Sequence, residues 1–244
     1  MKLSDLKVAV YADGADIDGM VEMYKKGFIK GFTTNPTLMR KAGIKSYTEF
    51  AKKVLSEIQD MPVSFEVFAD DFKTMRDEAL ILSEYGKNVF VKIPVTNSRG
   101  ESSIPLISEL SKEGVSLNVT AVFTVKQTEA VLEALEKGTE NIVSVFAGRI
   151  ADAGVDPEGI IKQVSELCRQ KGNARSLWAS CREVFNIIQA DRCGVDIITV
   201  TNDLLGKLGN IGKDLDEFSL ETVQMFVRDG KSLGFSIIGE GALR

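Results

Sequence analysis

The chain has 244 residues, 44% hydrophobic and 27% charged, with a formal net charge of -5 at pH 7, a balance that argues against a nucleic-acid-binding surface. No apolar run reaches the length that a membrane span needs. The sequence contains no histidine, which excludes Ser-His-Asp and Cys-His catalysis and metal sites built on histidine, and leaves acid–base chemistry to Asp, Glu, Lys, Tyr, Cys or water.

Short apolar strands alternate with amphipathic helices along the chain. Most strands are continuous apolar runs, which is typical of a parallel sheet covered on its outer face. The predicted strands lie, in chain order, at residues 8–13, 31–36, 63–68, 88–95, 115–123, 141–148, 175–180 and 195–201. Between them, apolar residues recur three and four apart, as in the helices predicted at 47–59, 72–86 and 126–138.

Eight such units in a chain of this length predict a single (β/α)8 TIM barrel, one domain over residues 1–244. A doubly wound open sheet is the alternative, but eight regular repeats without the signal of a second domain favour closure. The segment 216–235 follows the last strand and predicts one more helix. Residues 212–244 are therefore expected to form a C-terminal helical extension packed on the barrel.

Lys92 lies inside the apolar segment NVFVKIPVT, which otherwise indicates a buried strand. Burial of an isolated ammonium is costly, so such a lysine tends to lose its proton. A neutral amine attacks carbonyl groups, which is the chemistry of a Schiff base. The alternative is a lysine at the end of a strand whose amine reaches solvent.

Polar side chains share the inward face near the carboxyl ends of the other strands, where an ordinary barrel core would hold Val, Ile or Leu. They are Asp13, Thr33, Asn35, Glu66, Asn118, Thr120 and Ser144. Phe146 shares a face with Ser144, and Ser180 shares one with Trp178. Simple capping of a strand or helix is a reasonable alternative for Asp13, but a poor one for Glu66 and Lys92, which lie within strands.

Two arginines follow the sixth and seventh predicted strands, Arg149 in VFAGRI and Arg182 in WASCRE. The planar guanidinium group binds two phosphate oxygens at once. Either arginine alone is more often part of a surface ion pair, but both at the carboxyl ends of neighbouring strands predict a phosphate site.

At these residues the chain resembles the transaldolase family of class I, Schiff-base-forming aldolases. GFTTNPTLM resembles the strand-two signature of that family, and VKIPVT resembles the motif around its Schiff-base lysine. The segments LNVTAVFT, VSVFAGRI, WASCRE and TVTNDLL resemble those that follow. Six motifs in the right order, from strand one to strand eight, cover nearly the whole chain.

The resemblance implies a role for each matching residue. Lys92 forms the Schiff base, Asp13 is the acid–base group at the C4 hydroxyl, and Glu66 and Thr120 hold the water that moves protons. The implied substrate-binding residues are Asn35 and Asn118 at the dihydroxyacetone hydroxyls, Ser180 nearby, Arg149 and Arg182 at the phosphate, and also Thr33, Ser144 and Phe146. No metal and no organic cofactor is expected, because the imine is the electron sink.

The related fructose-6-phosphate aldolases have Gln, Tyr and Lys where this chain has Glu66, Phe146 and Arg182, so all three positions take the transaldolase form. The resemblance thus implies a pentose phosphate pathway enzyme that transfers dihydroxyacetone from sedoheptulose 7-phosphate or fructose 6-phosphate to glyceraldehyde 3-phosphate or erythrose 4-phosphate. Gly14, Cys181 and the NSRGES turn (97–102) depart from the family pattern and leave fine substrate preference open.

Three alternatives stay open at this point. The first is an aldolase that releases free dihydroxyacetone, the second a sugar-phosphate-binding barrel without catalysis, and the third an isomerase on the same fold. The expected partners are sugar phosphates and further copies of the chain, with neither nucleic acid nor membrane. Three cysteines without a CxxC spacing, and an N-terminus without a signal peptide's long apolar region, predict a cytoplasmic protein.

Overall fold

Eight parallel strands close into a barrel in the computed structural model, which describes residues 3–234. Each strand pairs with the next along the chain, and β1 pairs with β8. The strands are β1 (Ala9–Asp13), β2 (Phe32–Thr33), β3 (Val63–Glu66), β4 (Val89–Pro94), β5 (Leu117–Val122), β6 (Ile142–Val145), β7 (Arg175–Trp178) and β8 (Ile197–Thr201). With helices between the strands, this confirms the predicted (β/α)8 TIM barrel.

Helices follow every strand of the barrel. The α-helices are α1 (Ile17–Lys26), α2 (Pro36–Lys41), α3 (Tyr47–Glu57), α4 (Phe72–Ser83), α5 (Ile104–Lys112), α6 (Val125–Ala134), α7 (Ala147–Asp152), α8 (Glu158–Lys171), α9 (Phe185–Arg192), α10 (Asn202–Leu205) and α11 (Leu215–Ser232). Short 3-10 turns lie at Leu3–Asp5 and Leu208–Asn210. The helices predicted at 47–59, 72–86 and 126–138 are α3, α4 and α6.

All eight strands are shorter than the predicted ranges, and two of them end early because a helix begins there. Asn35 was expected in the second strand, but its side chain accepts a hydrogen bond from the Leu38 backbone N–H at 3.0 Å and caps α2. Pro36 then occupies the first turn, where its missing N–H is not needed. The predicted strand 141–148 likewise ends at Val145, because Phe146 is the N-cap residue of α7.

An apolar layer fills the amino-terminal part of the barrel interior. Tyr11, Phe90, Ile142 and Ile197 each lie two residues before a polar inward residue of the same strand, so the apolar layer lies below the polar one. The alternate strand residues point outward toward the helices and are almost fully buried. The core therefore leaves polar groups concentrated at the carboxyl ends of the strands.

The chain divides into two compact units, Leu6–Gly206 with the barrel and a second with residues 3–5 and 207–234. The second unit contains α11, which confirms the predicted C-terminal helix; Asp214 caps it, and none of its residues is buried. The expectations of one domain and of an extension packed on the barrel stay predictions, and residues 235–244 lie outside the described chain. No helix among residues 3–234 has the length and apolar character to cross a membrane.

Candidate active site

A cavity of about 380 Å³ lies at the carboxyl ends of the barrel strands. Its wall contains every predicted site residue except Asn118: Asp13, Thr33, Asn35, Glu66, Lys92, Thr120, Ser144, Phe146, Arg149, Ser180 and Arg182. The barrel topology explains the grouping, because parallel strands bring their carboxyl ends to one face. These predicted residues bring one amine, two carboxylates, several hydroxyls and two guanidinium groups to the cavity.

Lys92 is 6% exposed and lies on the cavity wall. Its Nζ donates to the Thr34 backbone carbonyl at 2.7 Å and to Glu66 Oε2 at 3.0 Å. Glu66 is the register partner of Lys92 on the neighbouring strand, which explains the short contact. A neutral amine has two N–H bonds and both have acceptors here, so its lone pair remains for an electrophile.

The TTNP segment positions both reactive groups. The Thr34 hydroxyl donates to the Ser64 carbonyl at 2.9 Å, which fixes the peptide whose carbonyl accepts from Lys92. The Asn35 side chain caps α2 through Oδ1, and its Nδ2 lies 3.4 Å and 3.5 Å from the two Asp13 carboxylate oxygens. The four residues of this segment, which joins β2 to α2, therefore orient the Lys92 amine and the Asp13 carboxylate together.

Asp13 ends β1 with its carboxylate in a polar environment of low water access. Burial raises the pKa of Asp13, and the Lys92 amine and hydrogen bonds from Thr33 and Asn35 act against that rise. The Thr33 hydroxyl donates to Asp13 Oδ1 at 2.8 Å, and Glu66 adds a smaller upward effect. A carboxyl group with opposing influences of this kind is suited to take up and return a proton.

Thr120 lines the cavity next to an irregularity in β5. The pairing of β5 with β6 shifts between Val119 and Val122, and Ala121 has a φ of 57°. Bulges of this type redirect side chains beside active sites. Thr120 is 1% exposed, and its Oγ1 has no hydrogen-bond partner among the described residues. That hydroxyl is available to a water or a substrate hydroxyl.

Asn118 lies two residues before Thr120, in the wall behind the cavity. It is fully buried, its Nδ2 donates to Ser64 Oγ at 3.0 Å, and its Oδ1 accepts from Ser144 Oγ at 2.6 Å. Ser144 does line the cavity. Contact between Asn118 and a substrate hydroxyl stays a prediction, and the contacts in the structure join β3, β5 and β6.

Ser180 reaches the cavity by a route that strand alternation does not predict. Leu177, rather than Trp178, lines the cavity, and Ser180 turns inward because its backbone is left-handed, with a φ of 65°. Gly148 permits this turn, since a Cβ there would lie 1.6 Å from the Ser180 carbonyl oxygen. The backbone N–H of Gly148 donates to the Ala179 carbonyl at 3.3 Å.

The Gly148 contact brings the two arginine-bearing segments together. Arg149 follows Gly148 in α7, and Arg182 follows the Ser180 turn; both line the cavity. The Arg182 guanidinium binds Asp152 through Nε, at 3.2 Å, and through Nη2, so its orientation is fixed. For Arg149, no ion pair is found among residues 3–234. Two guanidinium groups that line the same cavity are an arrangement typical of phosphate sites.

Sequence reasoning missed Thr199 and Lys41, which also line the cavity. Thr199 carries a signal that was present, a hydroxyl at an inward position of the predicted strand 195–201. Lys41 carries none, because only the fold brings the last turn of α2 to the mouth. Cys181 lines the cavity too, but burial raises the pKa of its thiol to about 12, which leaves it protonated. Within residues 3–234, no cluster of His, Cys, Asp and Glu suits a metal ion.

Comparison with known proteins gives a consistent result. The family model described as Transaldolase/Fructose-6-phosphate aldolase matches residues 10–237. A probable transaldolase of Methanococcus maripaludis is 36% identical over 201 residues, 82% of this chain and 89% of that protein. A probable transaldolase of Dehalococcoides mccartyi is 34% identical over 197 residues, 80% of this chain and 88% of that protein. A probable transaldolase of Sulfurihydrogenibium sp. is 32% identical over 225 residues, 91% of this chain and 96% of that protein.

Proposed function

Because the chain belongs to the transaldolase/fructose-6-phosphate aldolase family, we propose that it is a transaldolase that works through a Schiff base on Lys92. The observation that carries the proposal is the buried Lys92 amine, which lies on the cavity wall and contacts the Thr34 carbonyl and Glu66. The Asp13 carboxyl group, on the wall of the same cavity, supports it.

In the proposed reaction, the Lys92 amine attacks the C2 carbonyl of a ketose phosphate such as fructose 6-phosphate. The resulting carbinolamine loses water to give a protonated imine, and a water held by Glu66 and Thr120 carries the protons. The Thr120 hydroxyl has no other hydrogen-bond partner among the described residues, and Glu66 already contacts Lys92, which supports this pairing. The imine is the electron sink for the next step.

Asp13 then takes the C4 hydroxyl proton, the C3–C4 bond breaks, and glyceraldehyde 3-phosphate leaves. The electron pair of that bond forms a three-carbon enamine on Lys92. The enamine attacks an acceptor aldehyde such as erythrose 4-phosphate, Asp13 returns the proton, and hydrolysis of the new imine releases sedoheptulose 7-phosphate. The reverse direction uses the same groups, and the order is ping-pong.

Arg149 and Arg182 bind the phosphate in this proposal, and Asn35, Asn118 and Ser180 bind the hydroxyls of the three-carbon unit. Thr33, Ser144 and Phe146 complete the substrate-binding set. The proposed setting is the pentose phosphate pathway in the cytoplasm, with no cofactor. All three cysteines are free and buried, which is compatible with a reducing compartment.

Trapping with borohydride tests the proposal. With fructose 6-phosphate present, borohydride should inactivate the enzyme and add a reduced three-carbon unit to Lys92, as seen by peptide mass spectrometry. Lys92→Met should abolish turnover and trapping while the circular dichroism spectrum is kept. Lys87→Met is the matched control, since Lys87 is exposed and lies just before the same strand. An adduct on another lysine, or full activity of Lys92→Met, would refute the proposal.

An aldolase that releases dihydroxyacetone is the second candidate, because the matching family includes both activities. The two differ in the fate of the enamine, which a transaldolase passes to an acceptor and an aldolase protonates. Turnover of fructose 6-phosphate should rise greatly when erythrose 4-phosphate is added, with little free dihydroxyacetone in its absence. Accumulation of dihydroxyacetone without acceptor would favour the aldolase. Glu66→Gln and Phe146→Tyr should shift the enzyme in that direction.

A further inference from the structure

Two buried hydroxyl groups extend the surroundings of Asp13 downward into the barrel. Thr33 on β2 and Thr199 on β8 lie on either side of β1, and their Oγ1 atoms are 2.5 Å apart. Thr33 and Thr199 are 3% and 5% exposed, and both line the cavity. We infer that Thr199 is a positioning residue for Asp13 that acts through the hydroxyl of Thr33.

The number of protons on the two hydroxyl groups determines which threonine donates the hydrogen bond between them. The Thr33 hydroxyl has one proton, and it donates that proton to Asp13 Oδ1 at 2.8 Å when Asp13 is a carboxylate. The contact between the two threonines then requires Thr199 to donate and Thr33 to accept. Hydrogen bonds in such a chain polarise one another, so the bond from Thr199 strengthens the bond from Thr33 to Asp13.

The same pair also serves the protonated form of Asp13. Once Asp13 has taken a proton, its O–H donates to Thr33, whose own proton turns toward Thr199. Only rotation about two C–O bonds is required, and no proton leaves its oxygen. Asp13 therefore keeps a partner in both of the protonation states that an acid–base group passes through. This inference rests on the proposed role of Asp13.

Charged groups near Asp13 do not change when Thr199 is altered. The titratable groups that act on Asp13 are Lys92 on β4 and Glu66 on β3. Both act on it by charge, and neither forms a hydrogen bond or ion pair with Thr199 among the described residues. A change in the pH dependence of a Thr199 variant thus reports the hydroxyl chain.

The test compares Thr199→Val, which keeps the shape of the side chain, with Thr199→Ser, which keeps the hydroxyl. The hydrogen bond to the carboxylate is charge-assisted and stronger than the one to the protonated acid, so loss of the Thr199 hydroxyl destabilises the carboxylate form of Asp13 more. The acid limb of kcat/KM for fructose 6-phosphate cleavage should therefore move to higher pH by about half a unit. Thr199→Ser should restore the wild-type limb. In a Thr33→Val background, Thr199→Val should produce no further shift, because the link is already broken.

Borohydride trapping separates this inference from the proposed function, since imine formation precedes the step of Asp13. If the wild type forms no adduct at Lys92, the proposed function itself is wrong. If the wild type and Thr199→Val both form the adduct, the pH profiles decide. An unmoved acid limb, failure of Thr199→Ser to restore it, or a further shift in the Thr33→Val background would each overturn the role of Thr199. Loss of trapping in Thr199→Val alone would assign Thr199 to the architecture of the site instead.

Discussion

The surroundings of Asp13 disfavour the charged form of its carboxyl group. Burial raises the pKa of Asp13 above the value of an unfolded chain, so the folded state binds this proton more tightly. For a raised acid pKa, the unfolded state holds fewer protons between the two values, and stability falls as the pH rises through this window. The carboxylate that the proposed reaction requires therefore lowers the stability of the fold.

Asp13→Asn removes this charge and should increase the free energy of unfolding near pH 7, by on the order of 1 kcal/mol. The difference from wild type should grow as the pH rises through the folded pKa, and vanish below the unfolded value near 3.8. Urea unfolding at several pH values measures it. A variant less stable than wild type at neutral pH would mean that the hydrogen bonds from Thr33 and Asn35 outweigh burial.

Thr120 lets an effect on the reaction be separated from an effect on stability. Its buried Oγ1 has no hydrogen-bond partner among the described residues and lines the cavity, where the proposed reaction gives it a water. Thr120→Val keeps the shape of the side chain, so it should change the free energy of unfolding by less than about 1 kcal/mol and slow the proposed imine formation by tenfold or more. Denaturant unfolding and single-turnover trapping measure the two effects. If the loss of activity matched the loss of folded protein, Thr120 would only fill space.

The residue scale also limits what a sequence reveals. Lys92 and Glu66 could be found because a charge inside an apolar strand is conspicuous. Ser180 was placed correctly at the cavity, but for an incorrect reason, since its left-handed φ of 65° interrupts the alternation that was used. Lys41 gave no signal, because its place at the cavity depends on where α2 ends in space.

At the scale of elements, the approach of α7 to the end of β7 positions the two arginines that we propose to bind phosphate. Gly148→Ala would place a Cβ 1.6 Å from the Ser180 carbonyl oxygen, and backbone must move to relieve it. We expect a loss of about 1–3 kcal/mol of stability and a KM for phosphorylated substrates that rises more than kcat falls. The shift should spare binding of unphosphorylated dihydroxyacetone, because the arginines move and Lys92 does not.

Gly159→Ala in α8 is the matched control, since a Cβ there meets nothing within 4 Å. That variant should keep wild-type kinetics and gain about 0.5–1 kcal/mol, because alanine favours a helix over glycine. Thermal unfolding and steady-state kinetics of both variants check the prediction. If Gly148→Ala keeps the wild-type KM, the contact does not set the position of Arg182.

Element bounds differed from the sequence prediction where capping intervened. The predicted second and sixth strands extend past the ends of β2 and β6, but Asn35 and Phe146 are N-cap residues of the helices that follow. Periodicity detects the apolar face of a strand and not the residue at which a helix begins. The irregularity of β5 at Ala121 was also not predicted, because alanine rarely adopts a positive φ.

At the scale of the whole molecule, eight repeated strand and helix patterns correctly predicted the barrel. Association of the chain with further copies of itself stays a prediction. Large apolar side chains on α11 are exposed in the single chain, with Phe226 at 63% and Leu220 at 57%. Exposed apolar area of this kind favours association, at roughly 25 cal/mol for each Å² that it buries. We keep the prediction that the protein is a homo-oligomer.

Phe226→Asp should lower the mass measured by light scattering, because a charge replaces an apolar contact. Gln224→Asp adds the same charge to an exposed position about half a turn away and should leave the mass unchanged. Measurement of the wild type over a range of concentrations comes first. A wild-type monomer at every concentration would contradict the prediction.

The apolar layer below Lys92 has one more consequence. The barrel beneath the cavity is filled by Tyr11, Phe90, Ile142 and Ile197. Lys92 therefore lies at the closed end of a cavity that opens only at the carboxyl ends of the strands. Under the proposed reaction, the departing aldose phosphate and the incoming aldehyde must pass through the same doorway, one after the other. The departing product should therefore inhibit competitively against the acceptor. The rate at which the product leaves through the opening sets how quickly the acceptor can bind to the enzyme that carries the enamine.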